Sequence, residues 1–209
     1  MKSRTRFAAM GSVAVLALVA GGIGMGMGGR GEVNTTRSVV VPEAEGKTYA
    51  LDPVHSNVLF KIKHMNVSNF YGRFNKVTGS FSTGEAASVD VTVDASSVDT
   101  NNSKRDDHVK SPDFFSVKEF GEMTFKSTGL KKSGDSWKGT GDLTFHGVKK
   151  SVDVELKLVG AGPGMGGKGE VAGVETSFTI KRSDYGVKGM VGMLGDEVTI
   201  WVSLEGGAK

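Results

Sequence analysis

Residues 139–159 alternate between apolar and polar with a period of two, and this constrains the fold more tightly than any other feature of the chain. Leu143 and Phe145 alternate with Asp142 and Thr144. After His146-Gly147-Val148-Lys149-Lys150, Val152, Val154, Leu156 and Leu158 alternate with Asp153, Glu155 and Lys157. Successive side chains of an extended chain leave opposite faces, so the segment reads as two strands with one apolar and one wet face. An amphipathic helix is excluded, because these apolar positions fall on no single stripe of 3.6-residue period.

The same pattern recurs. Tyr49 to Leu51 opens a first strand and Asp52-Pro53 turns it. Val58, Phe60 and Ile62 share a face, as do Val89, Val91, Val93 and Ala95, then Met123 and Phe125. Thr176, Phe178 and Ile180 form another such face, and Val198, Ile200, Val202 and Leu204 the last. Between Phe70 and Phe81 the phase slips at Asn75-Lys76, since Phe74 and Val77 cannot share one face of a regular strand; a β-bulge there reconciles them. The total is about eight or nine strands with turn signals between them, the pattern of an all-β sandwich or antiparallel barrel. One connection differs. Residues 101–110 are polar, with Asn102 or Ser103 as helix N-cap, and Ser111-Pro112 can begin another turn before Phe114 and Phe115. A short helix with adjoining aromatics is expected to close one end of a barrel or cover an open edge.

The chain divides into an expected signal peptide over residues 1–29, a flexible spacer over 30–47 and one domain over 48–209. Lys2, Arg4 and Arg6 precede an uncharged stretch centred on an apolar core at 13–20, with small residues after it, which marks a secretory signal. The alternative is an uncleaved membrane anchor, although the second half of the stretch is mostly Gly and Met. The expected location is periplasmic or extracellular. The chain has no Cys, which excludes disulfides and a lipid-modified cysteine. Its net charge of +3 is misleading: all 23 acidic residues lie beyond Gly29, matched there by 23 basic ones. That overall balance removes the electrostatic argument for nucleic acid or an anionic membrane surface.

Residues that carry chemistry are few. His55 follows a turn and is expected to bond backbone; His146, in outward phase at a hairpin end, is expected in solvent; His64 continues an inward phase and His108 lies on the helix. No His-x-His or His-x₃-His pair is present, so no metal site is expected. Residues 80–84, SFSTG, miss the nucleophile elbow by one residue and lie at a strand end. The glycine-rich run at 162–168 lacks the Ser or Thr and the following helix of a phosphate loop. No catalytic residue and no cofactor is assigned. Arg182 shares a face with Thr176, Phe178 and Ile180, so a permanent charge points inward and needs partners. Two readings stand: pairing with Asp106 or Asp107 of the helix, which would hold the Phe114-Phe115 cap, or contact with a ligand's polar head.

Taken in order, Asp52-Pro53-Val54-His55-Ser56, Phe60, His64, Gly72-Arg73-Phe74, Arg105-Asp106-Asp107-His108-Val109, Asp113-Phe114-Phe115, the Gly141 to Gly147 run GDLTFHG and Arg182-Ser183-Asp184-Tyr185-Gly186 resemble the YceI-like family. Val109 stands where that family usually has Leu, and Tyr185 where it usually has Phe. The resemblance implies an exported, extended lipocalin-like barrel whose tunnel takes a long amphiphile such as a polyisoprenoid or isoprenoid quinone, with no established catalytic activity.

An eight-stranded barrel is either filled by its own side chains or holds one small ligand. The candidate tunnel lining is Phe60, Ile62, Phe74, Phe81 and Val91 from the first half. Phe125, Phe145, Phe178, Ile180 and Ile200 continue it, with Met190, Met193 and Leu194 from a Gly-flanked loop. A packed core made of the same residues is the competing reading. His64, Asp106, His108 and Arg182 would form the polar end. An apolar lipid is the expected partner, and a homodimer stays open. Two rival functions are a lipid-directed hydrolase or isomerase using His64, His108 or Asp106, and an empty structural barrel.

Overall fold

The computed structural model describes residues 46–209; the expected signal segment, and the spacer up to residue 45, lie outside the described residues. Strands β1 (Thr48–Leu51), β2 (Asn57–His64), β3 (Ser68–Phe74), β4 (Val77–Ser82), β5 (Ser88–Asp94) and β6 (Val98–Asp99) precede helix α1 (Ser103–Lys110). Strands β7 (Glu122–Ser133), β8 (Ser136–Phe145), β9 (Val148–Pro163), β10 (Glu170–Lys181) and β11 (Leu194–Ala208) follow it. The ring runs β1-β4-β5-β7-β8-β9-β10-β11 and closes through β1 on β11. β2, β3 and β6 prolong β1, β4 and β5, because β2 runs on along β11, β3 pairs with β2, and β6 pairs with β3. The result is a closed antiparallel barrel of eight staves, three of them broken. Closure removes the exposed edge that an open sheet would present.

The breaks have local causes. Between β1 and β2, the Asp52 N–H donates to the Glu205 carbonyl at 2.8 Å, and the buried Ser56 hydroxyl both donates to that carbonyl and accepts from the Glu205 N–H. The Asp52 to Ser56 turn is thereby pinned to β11. At Asn75-Lys76 the chain leaves the sheet for two residues, and the segment 95–97 satisfies both N–H groups. Phe74 and Val77 can then both be buried. β8 and β9 meet in a two-residue turn in which His146 and Gly147 have φ of 51° and 73°. Both angles are left-handed, as the twist of such a hairpin requires.

The barrel has two unlike ends. At one, the Tyr49 and Phe81 rings stack at 5.1 Å and the Trp137 indole donates to the Gly84 carbonyl at 2.7 Å. Tyr49, Phe81, Val174 and Leu204 are almost fully buried there, so this end is solid core. At the other end lie α1, the β8–β9 turn, the β2–β3 turn and the long β10–β11 connection. Asn102 caps α1 by accepting from the Arg105 N–H at 3.0 Å. No residue of α1 is buried; the plug is made by the segment after it. Phe115 lies 5.8 Å from Phe74 and 5.5 Å from Phe145, edge to face with the latter.

Candidate functional site

Between the solid end and α1 the barrel encloses a cavity of about 530 Å³. That is within the range of small-molecule sites, ~300–1,000 Å³. Its wall is the inward face of nearly every stave, and glycines keep it hollow. Gly72 faces inward opposite Phe60, and Gly141 lies under Phe125; a Cβ at either position would overlap the ring. Each ring therefore lies along the wall over a glycine. Phe125 also stacks on Phe178 of β10 across the barrel interior at 6.3 Å.

Of the residues expected to line a tunnel, Phe60, Ile62, Phe74, Val91 and Phe125 border this cavity. Phe145, Phe178, Ile180, Met190, Leu194 and Ile200 border it as well. Two do not. Phe81 points inward but is taken up by the Tyr49 stack at the solid end, below the chamber floor. Met193 is exposed on the rim, because the turn formed by Met193 and Leu194 N–H bonds to the Met190 carbonyl faces it outward.

The polar end differs from expectation too. Arg182 does not pair with Asp106 or Asp107. It is 5% exposed, and its guanidinium donates to four main-chain carbonyls: Gly195 at 2.9 Å, Val187 at 3.2 Å, Gly189 at 2.7 Å and Leu194 at 3.4 Å. The β10–β11 connection wraps the charge before any helix carboxylate can reach it. Burial pulls the Arg182 ionisation below its ordinary value, and the Asp196 carboxylate opposes that. Asp106 is satisfied locally, accepting from the Thr100 N–H at 2.8 Å and from its hydroxyl; it does not reach the cavity wall. His64, His108 and Arg182 do border the cavity. His108 Nε2 sits 3.3 Å from Asp113 and its ring meets Phe114 edge to face.

The other histidines also depart from expectation. His55 Nδ1 bonds the Asp52 carboxylate at 2.8 Å rather than backbone. With Glu205 these two form a three-residue group of metal-ligating type at the surface, and their ion pair accounts for it. His146 is not in solvent: Phe120 covers its ring at 4.5 Å and Nδ1 meets the Tyr185 carbonyl at 3.1 Å. Several wall residues were not foreseen. Arg105 lies over the Phe70 ring at 4.4 Å and donates to the Thr100 hydroxyl and carbonyl. Thr176, on the inward face that its phase predicts, places a buried hydroxyl without a hydrogen-bond partner in the wall.

The fold and the chamber define an antiparallel barrel with an apolar interior site. Residues 49–206 match the YceI-like domain model, and the chain belongs to that family. It is 44% identical over 156 residues to a UPF0312 protein of Pseudomonas aeruginosa, covering 73% of this chain and 81% of that one. It is 41% identical over the same length and shares to protein YceI of Escherichia coli. Among solved structures, BcnA of Burkholderia cenocepacia superposes with a TM-score of 0.67 at 25% identity, covering 74% of this chain and 98% of that one. A Campylobacter jejuni YceI protein gives 0.62 at 30% identity, covering 71% and 91%. A polyisoprenoid binding domain from Saccharophagus degradans shares the fold, at 0.58 and 16% identity, covering 77% and 98%.

Proposed function

We propose that this protein is an exported carrier that holds a long apolar amphiphile, a polyisoprenoid or isoprenoid quinone, in the barrel. The observation that carries this reading is the cavity itself: a chamber of about 530 Å³ walled by aliphatic and aromatic side chains and kept open by glycines beneath Phe60 and Phe125. Such a space, buried and almost wholly apolar, favours hydrocarbon over water. It reaches the exterior at the α1 end, where exposed Ser68, Arg105 and His108 border it, so a polar head would sit there and an apolar tail run inward. Kinship of fold with the Saccharophagus degradans domain is in keeping with the ligand class. Export rests on Lys2, Arg4 and Arg6 ahead of the apolar run at 13–20.

Native mass spectrometry with lipid extraction tests the reading. Protein purified from the exported fraction should carry an isoprenoid lipid recovered unchanged. Conversion of an added polyprenol would favour an enzyme, and a chamber that never takes up lipid would favour a structural barrel. Intact mass in the same sample decides export: a chain retaining residues 1–20 in the membrane fraction would replace a soluble carrier with a tethered one.

A further inference from the structure

The rim of the open end carries large apolar side chains that the cavity does not use. The β2–β3 turn presents Met65 and Val67, and the β10–β11 connection presents Met190, Val191 and Met193, all exposed. Val67 is 85% and Val191 78% exposed. The two turns form one edge, because the Met65 N–H donates to the Met193 carbonyl at 2.6 Å. They are fixed turns: Val67 N–H bonds back to His64, and the Met193 and Leu194 N–H groups bond back to Met190. At the solid end of the barrel the loop between β9 and β10 exposes one such residue, Met165. Solvent exposure of several large apolar groups in one place marks a surface that meets something apolar.

Charge identifies what it meets. Residues 61–71 and 185–195 contain no Asp or Glu, but Lys61, Lys63 and Lys188 lie in them, the last two exposed. The nearby carboxylates have partners: Asp184 lies 3.7 Å from Lys150, Asp196 accepts from Ser183, and Asp113 lies 3.3 Å from His108. The two segments themselves carry lysines and no carboxylate, and an apolar edge of that local charge is the surface that inserts shallowly into an anionic bilayer. Position supplies the third argument. Met190 is exposed on the rim and also borders the cavity, so the edge and the chamber wall form one apolar path. We propose that the Met65–Val67 and Met190–Met193 turns dock the barrel mouth on an anionic lipid bilayer, so that an amphiphile passes between membrane and chamber without crossing water. The purpose assigned to docking rests on the carrier reading; the docking itself does not.

The test uses the barrel domain, residues 46–209, as wild type and three single variants: Val67→Asp, Val191→Asp and, at the opposite end, Met165→Asp. All three positions are exposed, so the fold should survive each change. Co-flotation is measured with phosphatidylcholine vesicles containing 30% phosphatidylglycerol, and with phosphatidylcholine alone. Docking predicts binding to the anionic vesicles, reduced at least tenfold by Val67→Asp and by Val191→Asp, unchanged by Met165→Asp, and weaker without phosphatidylglycerol. Failure of the wild type to float, or equal loss in all three variants, overturns it. Sedimentation of the same proteins covers the alternative occupant: a dimer abolished by Val191→Asp, with no flotation, would make the edge a contact between copies and overturn the proposal. Uptake of an NBD-tagged geranylgeraniol in the absence of vesicles separates the two readings. Flotation lost at the rim in a protein that takes up no probe upholds docking while the carrier reading fails. Probe uptake with no flotation upholds the carrier and rejects docking.

Discussion

The Arg182 guanidinium donates to the carbonyl oxygen of Gly189 at 2.7 Å. Gly189 in turn lies against the Asp113 carbonyl and the Phe114 ring, so closely that a Cβ there would overlap the carbonyl. A buried charge thus organises a loop, and the loop abuts the aromatic plug of the barrel. The link between β10 and the plug passes through main chain, with no carboxylate of α1 in it.

Replacing Arg182 by Met should therefore strand four carbonyls at once. Loss of partners for buried acceptors supports a cost of about 3 kcal/mol. Asp106→Asn should act independently, since Asp106 serves Thr100. In a double-mutant cycle by urea unfolding, the two should add to within ~0.5 kcal/mol. A coupling well above that would mean that the charges interact after all.

Gly141 has a different task. An Ala at this position would drive the Phe125 ring off the wall and into the chamber. The ring can move, so the expected stability loss is modest, below ~1–3 kcal/mol for overpacking. Uptake of a fluorescent prenol should fall much further, by tenfold or more. Equal uptake by Gly141→Ala and wild type would show that the volume beside Phe125 is not where the tail lies.

Thr176 offers the converse experiment. Its hydroxyl is buried in the cavity wall without a partner, and an unmet hydroxyl costs ~1–3 kcal/mol. Thr176→Val keeps the shape and removes that cost. Thermal unfolding of the lipid-free protein should show a gain of about 1 kcal/mol, and prenol uptake should hold or rise. Weaker uptake by the variant would instead assign the hydroxyl to a polar group of the ligand.

The strands were legible because period-two alternation depends on backbone geometry alone, and the breaks at Asp52 and Asn75 because turn residues or a phase slip mark them. Height within a barrel leaves no such trace. Phe81 and Phe74 have the same inward signature, yet one is solid core and the other cavity wall. Met193 lies on a Gly-flanked turn with no periodicity, so its direction could not be read. Arg182 was found by phase, but its partners are carbonyls, which every residue has. Phe70 did leave a usable signal, since it shares parity with Gly72 and Phe74 on β3.

The Asp52–His55 pair gives a pH prediction. The hydrogen bond to Asp52, its charge and then that of Glu205 hold the His55 imidazole above its ordinary range. The same bond, with the Val54 N–H, holds the Asp52 carboxyl below its own. For His55 the favourable contribution is complete below about pH 6.5 and fades as pH rises through the raised folded value. For Asp52 it is complete above about pH 3.9 and fades as pH falls through the depressed value. The pair is therefore fully formed from roughly pH 4 to 6.5. Both groups are solvent-exposed, so the readout is titration rather than stability. Following the His55 ring protons by NMR should give a midpoint above about 6.5, and Asp52→Asn should lower it, with a residual elevation left by Glu205. A wild-type midpoint at or below the ordinary imidazole value would mean that the Asp52–His55 pair does not form in solution.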